Sequence, residues 1–98
     1  MGQMQLQARK PKFEAGEVVI TPAASAALEA GGHKLDDLLA RHQAGDWGDV
    51  SEQVRAGNER GLVERFNLQS AYVVPSGQRL VVVTNRDRTL TMVHLDLA

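Results

Sequence analysis

The last third of the chain carries three β-branched runs, Gln69–Val74, Arg79–Asn85 and Thr89–Leu95, separated only by Pro75-Ser76-Gly77-Gln78 and Arg86-Asp87-Arg88. Spacers this short join antiparallel neighbours, because a parallel pair needs a crossover of a dozen residues or more. The first spacer has Pro and then Gly in the order a β-turn wants, whereas the second has no Gly. Alternation puts Ser70, Tyr72 and Val74 on one face of the first run and Ala71 and Val73 on the other. The middle run is apolar on both faces, as Leu80 and Val82 oppose Val81 and Val83, which suits a central strand. The pattern predicts a three-stranded antiparallel β-meander.

Ahead of it, Glu17–Thr21 reads as a short strand, and Thr21-Pro22 as an N-cap followed by Pro at the first helical position. A helix is expected over Pro22–Ala30, stopped by Gly31-Gly32. A second is expected from Lys34 to Gln43, with Leu35, Leu38, Leu39 and His42 on one face. After the Gly45-Asp46-Trp47-Gly48-Asp49 loop, a third runs over Ser51–Glu64, with either Asp49 or Ser51 as its cap. Gly57 and Gly61 on its inner face each cost about 1 kcal/mol against Ala, which close approach of another backbone would explain. The expected fold class is α+β: a short N-terminal strand, two or three helices, then the meander. Residues 13–98 form the single domain, and 1–12 read as a flexible N-terminal tail.

Composition narrows the function classes. With no Cys, the chain has neither disulfides nor thiolate chemistry nor Cys-type zinc sites. His33, His42 and His94 lack ligand spacing, so no metal is expected. Gly45–Gly48 lacks the Gly-Lys-Ser/Thr ending of a phosphate cradle, so no nucleotide cofactor is expected either. A formal charge of −1 gives no broad basic field for duplex binding, although a local patch from Lys10, Lys12, Arg65, Arg79, Arg86 and Arg88 is open. No apolar run spans a membrane and the start has no apolar signal core, which makes the cytoplasm the default compartment.

Three groups of residues carry candidate chemistry. Trp47, the single Trp, is either an exposed stacking platform or a plug between the second and third helices with its N–H bonded locally, and the plug is favoured. Asn58 shares a face with Val54 and Leu62, so its amide needs partners, which the Asp46-Trp47 loop offers. Arg86, Asp87 and Arg88 with Thr84, Thr89 and Thr91 form a polar hairpin tip, suited to binding an anion or a partner through guanidinium forks. Its plain reading is a solvated turn whose Asp and Arg pair with each other.

From Val19 to His94 the order of motifs resembles a family of short proteins common on bacterial plasmids and integrative elements. The resemblance rests on Thr21-Pro22, Leu38–His42, Gly45–Asp49, Asn58, Ser70-Ala71-Tyr72 and Asp87–Thr91, with the Gly-Asp-Trp-Gly-Asp loop its most specific piece. Asn85 stands where that family usually has an acidic residue. The resemblance implies mobile-element origin. The favoured expectation is a non-enzymatic interaction protein that binds a host or element protein, to regulate transfer or as an anti-defence inhibitor, through Trp47, Arg86, Asp87 and Arg88. An alternative is a metal-independent ribonuclease of barnase–colicin type. In it His42 is the base, Arg86 and Arg88 hold phosphate, and Ser70, Tyr72 or Thr91 orient it. That reading requires His42 and the hairpin to open onto one cleft. A nucleic-acid-binding module is the third reading. A homodimer through an edge strand carrying Leu90 and Met92, near Leu97, is a further expectation.

Overall fold

The computed structural model describes residues 11–96. Most of the expected tail, together with Lys10, Leu97 and Ala98, lies outside the described residues. Seven elements follow in order: β1 (Glu17–Ile20), α1 (Pro22–Ala30), α2 (Leu35–Gln43), α3 (Glu52–Glu64), β2 (Leu68–Val73), β3 (Arg79–Thr84) and β4 (Leu90–Leu95). The α+β class and the meander are as expected, with β2–β3 and β3–β4 both antiparallel.

The sheet is mixed rather than purely antiparallel. Its order is β1-β4-β3-β2, and β1 pairs parallel with β4, Val19 opposite Met92. Three helices intervene between β1 and the meander, which supplies the long crossover that a parallel neighbour demands. This corrects the expected edge. β4 is interior, flanked by β1 and β3, so Leu90 and Met92 do not sit on a free edge. The exposed edge strand is the four-residue β1.

Local signals account for the helix boundaries. Thr21 Oγ1 accepts from the Ala24 N–H at 3.2 Å, and Pro22 begins α1. Ser51, rather than Asp49, caps α3 by accepting from the Val54 N–H at 3.1 Å. At the α3 C-terminus Arg65 takes the left-handed conformation (φ 60°). The two α3 glycines differ. A Cβ on Gly61 would lie 2.9 Å from Leu68, so this glycine does permit close packing, whereas Gly57 faces open space.

The main core joins Ala24, Ala27 and Leu28 of α1 and Leu38 of α2 to Tyr72, Leu80, Val82 and Val93 on one face of the sheet. A smaller cluster of Phe13, Trp47 and Leu68, with Leu62 and Val50 beside it, fills the region between α3 and β2. The opposite face of the sheet is different. Val19, Met92 and Val83 are neighbours in one cross-strand row, and none of them, nor Val73, belongs to either cluster. Val19, Met92 and Val73 are 38%, 39% and 54% exposed.

Both sides of the β2 edge are closed by the chain itself. Asn58 behaves as a surrogate strand residue: its Nδ2 donates to the Gln69 carbonyl (2.7 Å) and its Oδ1 accepts from the Gln69 N–H (3.0 Å). The partner is therefore β2, not the Asp46-Trp47 loop. Two residues on, the Ala71 N–H donates to the Trp47 carbonyl, and the Asp49 N–H donates to the Ala71 carbonyl. Gly48 forms this bridge at φ 74°, where a Cβ would fall 2.1 Å from the Ala71 oxygen. Pairing the outward backbone groups of an edge strand removes a template for unwanted strand addition.

Candidate functional site

His42 lies on the buried face of α2 and reaches the sheet, fully buried with Ser70, Thr84 and Thr91. Thr84 and Thr91 are direct partners across β3–β4, and Ser70 pairs with Val82 next to them. His42 Nδ1 is 2.5 Å from Ser70 Oγ and Nε2 is 2.9 Å from Thr84 Oγ1. Thr84 Oγ1 is 2.6 Å from Thr91 Oγ1, which donates at 2.7 Å to the carbonyl of Ala15.

The directions of three of these bonds follow from that carbonyl, which only accepts. Thr91 donates to Ala15, so Thr84 donates to Thr91. Thr84 then accepts from His42 Nε2–H, which places a proton on Nε2. In the neutral ring Nδ1 is the acceptor, and Ser70 donates to it. Burial, and then the charge of Arg88, lowers the His42 pKa to about 4, in agreement with that assignment.

Two aromatic rings seal the relay. Phe13 meets His42 edge-on at 5.1 Å, and Trp47 meets it at 5.9 Å. The segment before β1 is tied over the relay. Lys12 N–H donates to the Gln43 carbonyl and Gln43 Nε2 donates to the Phe13 carbonyl. Lys12, which the sequence assigns to the tail, is therefore anchored by its backbone. Trp47 is 1% exposed and its indole N–H donates to Glu59 at 2.8 Å. It is the plug between helices and not an exposed stacking platform.

The rest of the Gly45–Asp49 loop is similarly absorbed. Asp46 pairs with Arg41 through Nε at 2.8 Å and Nη2 at 3.3 Å, and this hydrogen bond raises the Arg41 pKa. The Asp46 carbonyl accepts from the Tyr72 hydroxyl at 2.7 Å, while the Arg41 guanidinium lies 4.5 Å from the centre of the Tyr72 ring. Tyr72 is buried on the core face, and its hydroxyl is directed to the loop carbonyl.

The second hairpin explains its own missing glycine. Arg88 occupies the left-handed position (φ 60°) after the Asn85–Arg88 turn, where Gly is usual. Asn85 Oδ1 accepts from the N–H groups of Thr89 and Leu90, locking the turn. The Arg88 side chain, 9% exposed, runs inward instead of pairing with Asp87. Its Nη1 donates to the carbonyls of Phe66 (2.7 Å) and Asn85 (2.9 Å), and its Nη2 donates to the Gly61 carbonyl (2.9 Å). The guanidinium thereby binds carbonyls at the C-terminal end of α3, the negative end of the helix dipole. Burial and the nearby Arg65 lower its pKa.

Among the expected site residues, the structure brings His42, Ser70 and Thr91 together with Thr84. It leaves Arg86 and Asp87 exposed at the hairpin tip. A groove of about 650 Å³ includes Lys12, Phe13, Arg65, Asp87 and Arg88 in its lining but not His42. The Phe13 ring stands between, 5.1 Å from the His42 ring and 5.6 Å from Arg88 Cζ. The common cleft required of a ribonuclease site is not formed by the described residues. Arg79 also leaves the expected basic group, since Nη1 binds Asp96 at 2.6 Å and Nη2 the Asp49 carbonyl. No group of three His, Cys, Asp or Glu suited to a metal occurs among the described residues.

Sequence reasoning did not single out Phe13, Ala15 or Thr84 for the relay. The available signal was Ser70 and Thr84 at alternation positions shared with Tyr72 and Val82, a polar pair on a face otherwise apolar. Comparison with known proteins finds no matching family model, curated protein or solved structure.

Proposed function

We propose that this chain is a non-enzymatic interaction protein of a mobile genetic element, acting in the cytoplasm on a host or element-encoded protein. The observation that carries this reading is the uncovered face of the sheet, where Val19, Met92 and Val83 form an apolar row across three strands. A contiguous apolar row of this kind, exposed at Val19 and Met92 and half-buried at Val83, is uncommon on a surface without a partner. The sealed state of His42, Ser70, Thr84 and Thr91 supports a binding role over a catalytic one. A general base needs a pKa near the working pH, and His42 is held at about 4. The order of motifs from Thr21-Pro22 to Asp87–Thr91 supports the mobile-element setting. No helix among the described residues is long and apolar enough to cross a membrane.

The test is affinity capture with the wild-type chain beside a Met92→Asp variant of equal thermal stability. The expected result is a protein retained by the first and lost from the second. Equal recovery by both would remove the sheet face from the interface, and no specific protein with either would overturn the reading.

A further inference from the structure

We infer that the groove beside Arg88 and the hollow beside Phe66 together form a site for a short single-stranded nucleic acid, separate from the open sheet face. The groove of about 650 Å³ has Lys12, Arg65 and Arg88 in its walls, and a second hollow of about 350 Å³ is lined by Arg65, Phe66, Asn67 and Arg86. Arg65 lines both, so the two lie side by side.

Arg88 is the fixed element. Its three hydrogen bonds all go to neutral carbonyls, and its Nε–H has no partner among the described residues. A guanidinium so buried normally finds a carboxylate. Neither Arg65 nor Arg86 forms an ion pair among the described residues. A phosphate in the groove would supply the missing counter-charge to Arg88 and Arg65. Phe66, 44% exposed between Arg65 and Arg86, then offers a face for the adjoining base. Glu14 and Asp87 also line the groove, so its net charge suits a few phosphates rather than a long duplex.

Fluorescence anisotropy with labelled oligouridylate and oligothymidylate of about eight nucleotides tests this. Binding should weaken as salt rises from about 50 to 200 mM, with a log–log slope of about −2 for three phosphates. Arg65→Asn, which tolerates the left-handed backbone, and Arg86→Ala should each reduce that slope by about 0.7. Phe66→Ala should weaken binding about tenfold with the slope unchanged. Val63→Ala, at a solvent-facing position of α3, is the control. Absence of salt-dependent binding by the folded wild type overturns the inference. So does a Phe66→Ala variant that binds as well as wild type, or a poly-glutamate peptide that competes as strongly as the oligonucleotide, which would assign the groove to an acidic protein.

Discussion

His42 Nδ1 and Ser70 Oγ, 2.5 Å apart and both fully buried, form a serine–histidine contact in which the serine is the donor to a neutral ring. The histidine accepts that hydrogen bond and donates its own Nε2–H to Thr84, so the relay ends on a backbone carbonyl instead of a substrate. Removing a link leaves a buried polar atom without a partner. Thr91→Val should therefore lower stability by about 1–3 kcal/mol, read from urea unfolding. Unchanged stability would mean that the relay is rearranged in solution.

The same contact predicts an acid-sensitive fold. The folded-state pKa of His42 is about 4, below the ordinary value of 6.5. Above pH 6.5 the ring is neutral whether folded or unfolded, and this group adds no pH dependence. As pH falls from 6.5 to 4, the unfolded chain binds a proton that the folded chain refuses. Stability should drop by about 1.4 kcal/mol per pH unit across that window, then level off for this group. Urea midpoints between pH 7 and pH 4, compared with a His42→Gln variant, check the slope.

Gly48 and Gly57 should respond in opposite directions to alanine. At Gly48 a Cβ meets the Ala71 carbonyl at 2.1 Å and the backbone is left-handed, so Gly48→Ala should cost about 2 kcal/mol or more. At Gly57 nothing lies within 4 Å and the residue is inside α3, so Gly57→Ala should stabilise by about 1 kcal/mol. Paired thermal melts decide both signs.

Arg88 combines an unfavourable backbone with a favourable side chain. Arg88→Gly relieves a left-handed conformation worth about 1 kcal/mol, but removes three hydrogen bonds made by a charged group. The net expectation is destabilisation by about 2 kcal/mol, with Arg88→Lys intermediate because an ammonium lacks the planar fork. A more stable glycine variant would show that backbone strain outweighs the carbonyl contacts.

Much of the fold was legible because local chemistry and tertiary structure agree. Thr21-Pro22, Ser51 and Pro75–Gln78 carry their turn and cap information in a few adjacent residues. The parallel placement of β1 was not legible, since it depends on pairing between Glu17 and Leu90 across all three helices. For the site, the sequence offered His42, Ser70 and Thr91 as candidates, and the fold does gather them. Their burial was hidden because Phe13 seals the relay from the stretch just before β1, where the sequence predicts no element. The Gly-Asp-Trp-Gly-Asp loop stood out by composition alone. Its work as a clamp on β2 became visible only with the Gly48–Ala71 bridge.

The parallel seam between β1 and β4 has a consequence for biosynthesis. Ala15 and Thr91 are 76 positions apart, and the hydrogen bond between them lies at one end of that seam. While the ribosome is still making the helices, β1 has no neighbour and the Phe13 segment has nothing to cover. The amino-terminal strand must wait for β4 to be made, so the nascent chain should acquire protease resistance late and in one step.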